Sequence, residues 1–282
     1  MGTDEGAGAG GRREWARHWQ YAELPGLDLL RARYVRHTFP RHAHDGYVIA
    51  AVTGGIEEIG LPGHVVRAGP GSVVLINPEV PHTARAGVPE GWAYATLYPS
   101  RELITEVAEE IGMLRGTPGF TADMIYDAPG SQAVIEVHRA AEAGNALAAD
   151  TLLRGVVARM LTRHAGPLPA RTIRGAGGVD AAAARAVLQE RMADPPSLEQ
   201  LAAELGTSPF ALLRAFRERY GMPPHTWLTD ARVRQARRLL DAGTAPAEAA
   251  VTVGFTDQPH LNRHFTRIVG VPPGAYRRER AG

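Results

Sequence analysis

From Leu27 to Tyr98 the apolar positions fall in short runs, LDLLRARYVRHTF, YVIAAVTGG, GHVVRAG, GSVVLIN and WAYATLY, separated by Gly and Pro at close intervals. Runs of that length between turn residues predict strands, and several in succession predict an all-β barrel or sandwich. The period then lengthens. RELITEVAEEIGML, SQAVIEVHRAAEAG and ALAADTLLRGVVARMLTRH space their apolar residues at helical intervals. The last is the most strongly amphipathic, through Leu152, Leu153, Val156, Val157, Met160 and Leu161. AGPLPARTIRGAGG, 165 to 178, holds Pro and Gly with little apolar content and predicts a linker. Residues 1 to about 20 read as a mobile, Gly-rich entry.

Beyond the linker the pattern is helical throughout. A helix over about 180 to 192 is followed by Ser197 and Gln200, spaced as a capping box at a second helix start. Gly206 ends that helix. Ser208 offers the next N-cap with Pro209 in the first turn, and Leu212 and Phe216 form the apolar stripe of a helix running to about Tyr220. After a helix over 226 to 242 the plan recurs: PAEAAVTVG supports, Phe255 and Thr256 turn, Asp257 caps, and 258 to 268 is helical. Forty-nine residues apart, Leu212 meets Leu261, Arg214 meets Arg263, Phe216 meets Phe265, Gly221 meets Gly270 and Trp227 meets Tyr276. Before the turn the offset is 48, so the second turn is one residue longer. The repeat predicts two helix-turn-helix units.

Length and charge add the division into parts. At 282 residues the chain suits two cores. The expected plan is an α+β two-domain protein: a mobile N-terminus over 1–20, a β-barrel with flanking helices over 21–165, a linker over 166–178 and an all-α domain over 179–282. The 31 basic side chains are all Arg, and there is no cysteine, which excludes disulfides and thiolate chemistry. No stretch reads as a signal peptide or a membrane span, so the expectation is a cytoplasmic protein. Residues 1–170 hold 15 Arg against 19 acidic residues, and residues 171–282 hold 16 against 11. The basic C-terminal part predicts a polyanionic partner.

A helix-turn-helix reads DNA with its second helix in the major groove. With Leu212, Phe216, Leu261 and Phe265 facing inward, the outward positions are Phe210, Ala211, Leu213, Arg214 and Arg217 in the first copy. In the second they are Gln258, Pro259, Asn262, Arg263 and Arg267. Arg pairs bidentately with guanine, and Gln or Asn with adenine, so Arg214, Arg263, Gln258 and Asn262 are the candidate base readers. Arg217 and Arg267 are the candidate phosphate clamps.

The pattern from Ala250 to Arg277, A..VGF.D...L.R.F.R..G..P..YR, resembles the signature of the AraC/XylS family of bacterial transcription regulators. SLEQLAAELGTSPFALLRAFRERYGMPPHTW is similar to that family's first helix-turn-helix. Leu213 and Pro259 stand where polar residues are more usual, which leaves Phe210 and Leu213 for thymine methyl groups. HTFPRHAHDGYVIAAVTGG with AGPGSVVLINPEVPHTARAG resembles the cupin-like sensor domain of such regulators. The resemblance implies double-stranded promoter DNA as partner, a small-molecule effector and activation through RNA polymerase; His42, His44, Tyr47, Asn77, His82, Trp92 and Tyr94 are the candidate effector residues, with a place in the core as the alternative for Tyr47, Trp92 and Tyr94. It also implies a homodimer formed through the helix over about 145–163, whose apolar surface is more than one small barrel obviously needs; the alternative is that the helix covers its own barrel.

His42 and His44 share one strand face and His82 follows a turn, so three imidazoles are candidates for a metal site. Cupin enzymes usually place a carboxylate where this chain has Val48 and Ile49, so the expectation is no metal cofactor, with the His hydrogen-bonding an organic ligand. A metal-dependent cupin enzyme with secondary DNA binding is the alternative. No catalytic triad or phosphate loop is apparent, and no catalytic residue is assigned.

Overall fold

The computed structural model describes residues 14–113, 117–167 and 180–280. It comprises two compact units. The first holds the described chain through Thr38, Asp45–Val80 and 84–167; the second holds Phe39–His44, Pro81–Thr83 and the described residues from 180 onward.

In chain order the N-terminal elements are β1 (Trp15–Gln20), β2 (Leu27–Tyr34), β3 (Phe39–His42), β4 (Val48–Gly55), β5 (Glu57–Leu61), β6 (His64–Ala68), β7 (Ser72–Ile76), β8 (His82–Ala86) and β9 (Trp92–Pro99). Next come α1 (Arg101–Glu110), β10 (Pro118–Phe120), β11 (Met124–Tyr126), α2 (Ala128–Glu142), α3 (Ala146–His164) and β12 (Ala165–Pro167). One sheet runs β1-β2-β9-β4-β7-β11 and the other β3-β8-β5-β6, so the barrel is an open one of two sheets, in the layout expected of a cupin-like fold.

The alternation of strand side chains decides what each face of the larger sheet meets. Leu29, Ile49, Ala51, Leu75 and Leu97 form one core with Ile104, Val107, Val134, Val137 and the α3 residues Leu153, Val156, Val157, Met160 and Leu161. Val48, Ala50, Val52, Val74 and Ile76 on the opposite face join Ile59, Leu61 and Ala68 in a second core. The α3 stripe that suggested a dimer interface is thus packed inside its own unit. Burial of each such side chain contributes about 1.5–3 kcal/mol, which is reason enough for the stripe without a partner.

Two boundaries differ from expectation. Trp15–Gln20, placed by sequence in the mobile entry, pairs with Asp28–Arg33 as an edge strand; the rest of that entry, 1–13, lies outside the described residues. Ala165–Pro167, placed at the start of the linker, pairs with Pro118–Phe120, and 168–178 lies outside the described residues.

The second unit carries seven helices among its described residues: α4 (Ala181–Glu190), α5 (Leu198–Glu204), α6 (Pro209–Tyr220), α7 (Pro224–Asp241), α8 (Pro246–Thr252), α9 (Gln258–Val269) and α10 (Pro273–Arg280). Their ends are set by the expected residues. Ser197 and Gln200 form the reciprocal capping box of α5, Ser208 Oγ accepts from Ala211 N, and Asp257 accepts from His260 N. Gly221 and Gly270 close α6 and α9 at φ of 70° and 89°, where a Cβ would be strained. Residues 205–208 separate α5 from α6, and the longer stretch 253–257 separates α8 from α9. The repeat extends to the cores: Phe216 meets Trp227 edge-on at 6.1 Å and 73°, and Phe265 meets Tyr276 at 5.4 Å and 70°.

Candidate functional site

The second helix of each repeat presents most of the expected residues. Leu212, Phe216, Leu261 and Phe265 are fully buried, whereas Phe210, Arg214 and Arg217 on α6, and Gln258, Pro259, Arg263 and Arg267 on α9, are exposed. Ala211 and Leu213 are half-buried. Phe210 is 72% exposed, and the Arg214 guanidinium lies 5.7 Å from its ring, which holds the cation near the N-terminal end of the helix. Asn262 departs from its expected role. It is half-buried, and its Oδ1 is out of solvent and without a hydrogen bond among the described residues. That acceptor is therefore turned away from the exposed face, although the α9 spacing placed Asn262 one position before Arg263.

Sequence reasoning passed over the two histidines of α9. His260 and His264 stand one turn apart with ring centroids 5.1 Å from each other, and both pack on Phe255. Burial, then the neighbouring His260, Arg263 and Arg267 charges, lower the pKa of His264. The spacing of four between them was the available signal.

The three N-terminal histidines do converge. His42 on β3, His44 just beyond it and His82 at the start of β8 bring one ligand nitrogen each within 4.8 Å of the others. Their ring centroids are 4.4, 5.0 and 5.1 Å apart. His42 and His82 are buried. The His42 ring hydrogen-bonds the Pro40 carbonyl through Nδ1 at 2.8 Å; a carbonyl only accepts, so Nδ1 carries the proton and Nε2 the lone pair. Desolvation, then the charge of His82, lowers the His42 pKa to about 3. Desolvation, then the charge of His42, lowers that of His44 well below its ordinary value. Arg234 and Arg237 of α7 add to both shifts.

The other expected effector residues divide into two groups. Tyr47 belongs to the helix-side core, where its hydroxyl donates to the Pro118 carbonyl at 2.5 Å. Asn77 donates to the Phe120 carbonyl and accepts from the Phe120 amide, both at 2.8 Å. Both side chains thus anchor the β10 segment, each through a backbone partner that no local pattern encodes. Trp92 and Tyr94 are buried on the opposite face of β9, near-parallel at 6.3 Å, with Tyr34 5.4 Å from Trp92.

Sequence reasoning missed Glu57, which is buried between the sheets. Desolvation pushes its carboxyl up to about 7, against a hydrogen bond with Trp92. Thr96 Oγ1, two residues beyond Tyr94, is buried without a hydrogen bond among the described residues. Polar atoms in such a place are costly unless something satisfies them. The signal in the sequence was the alternation of Trp92, Tyr94 and Thr96 onto one face.

A cupin-like sandwich with polar groups between its sheets, joined to a duplicated helix-turn-helix, defines a ligand-responsive DNA-binding protein as the class. Residues 24–157 match the AraC-like ligand binding domain and residues 201–279 match a helix-turn-helix domain. The chain belongs to the AraC family of transcription regulators. It is 24% identical to the HTH-type transcriptional regulator YbfI of Bacillus subtilis, over 83% of this chain and 86% of that one. It is 27% identical to the transcriptional activator NphR of a Rhodococcus species, over 96% of this chain and 83% of that one. The fold is similar to that of ToxT from Vibrio cholerae, with a TM-score of 0.55 at 12% identity over 92% of this chain and all of that one.

Proposed function

We propose that this regulator responds to a small organic effector bound between the two sheets near Glu57, Trp92 and Tyr94, and that α6 and α9 read promoter DNA in successive major grooves. The observation that carries the reading is the duplicated, capped helix with an exposed Arg at the same place in each copy, Arg214 and Arg263. Arg217 and Arg267 bind phosphates, and Gln258 reads a base edge. Residues 21–165 act as the effector-binding part and 179–282 as the DNA-binding part. Effector binding shifts the population between arrangements with different affinity for the operator.

Activation of transcription, with RNA polymerase as partner, is supported by the name of the Rhodococcus relative as an activator. Homodimerisation is supported by family resemblance and would use a surface other than the buried stripe of α3. The proposed site of action is the cytoplasm; among the described residues no helix is long and apolar enough to cross a membrane. The relatives are regulators, which supports a binding role over the cupin-enzyme alternative.

Selection of bound fragments from random duplex DNA by the purified full chain, followed by footprinting, tests this reading. The expected result is a motif spanning two successive major grooves and a compound, found by thermal-shift screening, that changes affinity for it. Binding with no preference over bulk DNA would overturn the reading.

A further inference from the structure

The proposed effector site carries an inference about the chemistry of its occupant, and this inference rests on that reading of the site. We propose that the effector is an organic cation of the substituted-ammonium class, its charge met by the Glu57 carboxylate and its alkyl groups lying against the rings of Tyr34, Trp92 and Tyr94.

The site is built from both sheets. Trp92, Tyr94 and Thr96 alternate onto the inter-sheet face of β9, and Tyr34 and Ala32 of β2 stand opposite Trp92 and Tyr94. Tyr34 lies 5.4 Å from Trp92 and 6.3 Å from Tyr94, and Trp92 and Tyr94 are 10° from parallel. Glu57 enters from β5 in the other sheet and takes a hydrogen bond from Trp92; an indole N–H only donates, so the carboxyl accepts. Next to the rings the face is made of small side chains, with Ala32 opposite Tyr94 and Ala50 of β4 opposite Thr96. Thr96 is fully buried, and its Oγ1 has no hydrogen bond among the described residues. That hydroxyl is a second polar group left for an occupant to satisfy.

Charge selects the occupant. A glutamate is almost never buried without a partner, yet among the described residues no Arg or His acts on Glu57 or on Tyr94, whose titratable neighbours are Glu57, Tyr34 and Tyr98. His37 packs on the Tyr34 ring at 5.0 Å and has the Glu14 carboxylate beside it. An anionic effector would meet a carboxyl and the negative faces of three rings with no cation to offset them. A cation is attracted by both, since a ring face within about 6 Å draws positive charge most strongly where water is excluded. Alkyl substituents thin the hydration shell of the nitrogen and give the rings apolar surface to cover, which favours a substituted ammonium over a bare one. In the free protein the Glu57 carboxyl holds its proton up to about pH 7; the arriving cation displaces that proton to solvent.

The test is calorimetric titration of purified full-length protein, without DNA, by choline and benzyltrimethylammonium, by the uncharged isostere 3,3-dimethylbutan-1-ol and by 3,3-dimethylbutanoate. The ammonium probes should bind at least tenfold more tightly than the alcohol, and the carboxylate should not bind. With the carboxyl titrating at about 7, affinity for the cations should rise about tenfold from pH 6 to pH 8, with close to one proton released per cation at pH 6, read from the dependence of the heat on buffer ionisation. Glu57→Gln removes both the preference for cation over alcohol and the pH dependence, and Tyr94→Leu weakens the cations at least tenfold. If Glu57→Gln does not fold, the pH dependence and proton release of the wild type carry the test. No binding of either ammonium probe at millimolar concentration, an alcohol that binds as tightly as choline, or a cation preference that survives Glu57→Gln overturns the proposal. The site is judged separately: a neutral or anionic compound from the thermal-shift screen whose binding Tyr94→Leu abolishes would overturn the cation and keep the site. Compounds that change DNA affinity but bind both variants as they bind the wild type would overturn the site as well.

Discussion

Gly206 and Gly254 occupy the same place in the two turns, and their surroundings make them unequal. Both have positive φ, 62° and 91°, so alanine at either loses about 1–2 kcal/mol to backbone strain. A Cβ at Gly206 meets nothing within 4 Å, but one at Gly254 would lie 2.6 Å from the Ala193 carbonyl oxygen and 2.7 Å from its Cα. Gly254→Ala should therefore cost several kcal/mol in urea denaturation where Gly206→Ala costs one or two; equal costs would show that the backbone at Ala193 gives way. Glu57 supplies a pH-dependent counterpart. Its carboxyl ordinarily titrates near 4.5 and is pushed up to about 7 in the fold, so between those values the folded state holds a proton that the unfolded state has released. Stability from this group is present below the unfolded pKa and declines as pH rises through the folded one, by about 3 kcal/mol in total at 1.36 kcal/mol per unit. Glu57→Gln removes that dependence. The difference between variant and wild type should grow in the variant's favour from pH 5 to 7 and level off by pH 8, while the buried histidines, common to both proteins, cancel. A difference that does not change with pH would place the Glu57 carboxyl near its ordinary value. The residue scale was also where sequence reading was weakest. Tyr47 and Asn77 are polar residues in the right stretch for a pocket, but their tips meet the backbone of β10 across 71 and 43 residues of chain, a contact no local pattern can reveal.

Helices were far more legible than strands. The starts of α3, α5, α6 and α9 follow from Asn145, Ser197, Ser208 and Asp257, each of which caps its helix with a side-chain oxygen, and the ends of α5, α6 and α9 from Gly206, Gly221 and Gly270 at positive φ; these signals are local. Strand β1 was missed because its six residues, WARHWQ, carry charge and stand at the sheet edge, where one ladder of hydrogen bonds defines them. Strand β6 was recognised from its turn residues, but β5 was missed because EEIGL alternates so briefly that its buried Glu57 interrupts the apolar pattern. At this scale α6 and α9 make separable predictions. Arg214→Ala or Arg263→Ala should cost about 1–3 kcal/mol on the selected site and relax base preference at one position, because a bidentate base contact is lost. Arg217→Ala or Arg267→Ala should weaken all duplexes alike and reduce the salt slope by about one. Anisotropy titrations at several salt concentrations distinguish the two; a uniform loss at Arg214 would move it from reader to clamp. Asn262→Ala should leave base preference unchanged, since its Oδ1 is turned inward.

For the molecule as a whole, the charge asymmetry and the duplication become one geometric statement. The basic half carries both reading helices in one compact unit, joined by α7, whose 18 residues span about 27 Å. Successive major grooves on one side of a duplex are about 34 Å apart, so on the proposed reading one chain would reach two of them with a modest bend. A helix packed into both repeats fixes that spacing, unlike a flexible tether. Inserting 5 bp between the two grooves read by one chain turns the second face away; inserting 10 bp restores the face but adds a full turn of distance that α7 cannot span. Both insertions should therefore reduce binding to that of a single repeat, a loss on the order of a hundredfold given the gain expected from linked sites. In a homodimer, insertions between the sites of two chains behave differently if the DNA-binding parts are flexibly tethered: 5 bp weakens binding and 10 bp largely restores it. Recovery at 10 bp within the site of one chain would mean that α7 does not hold the two reading helices at a fixed distance, and the repeat would then act as two independent readers.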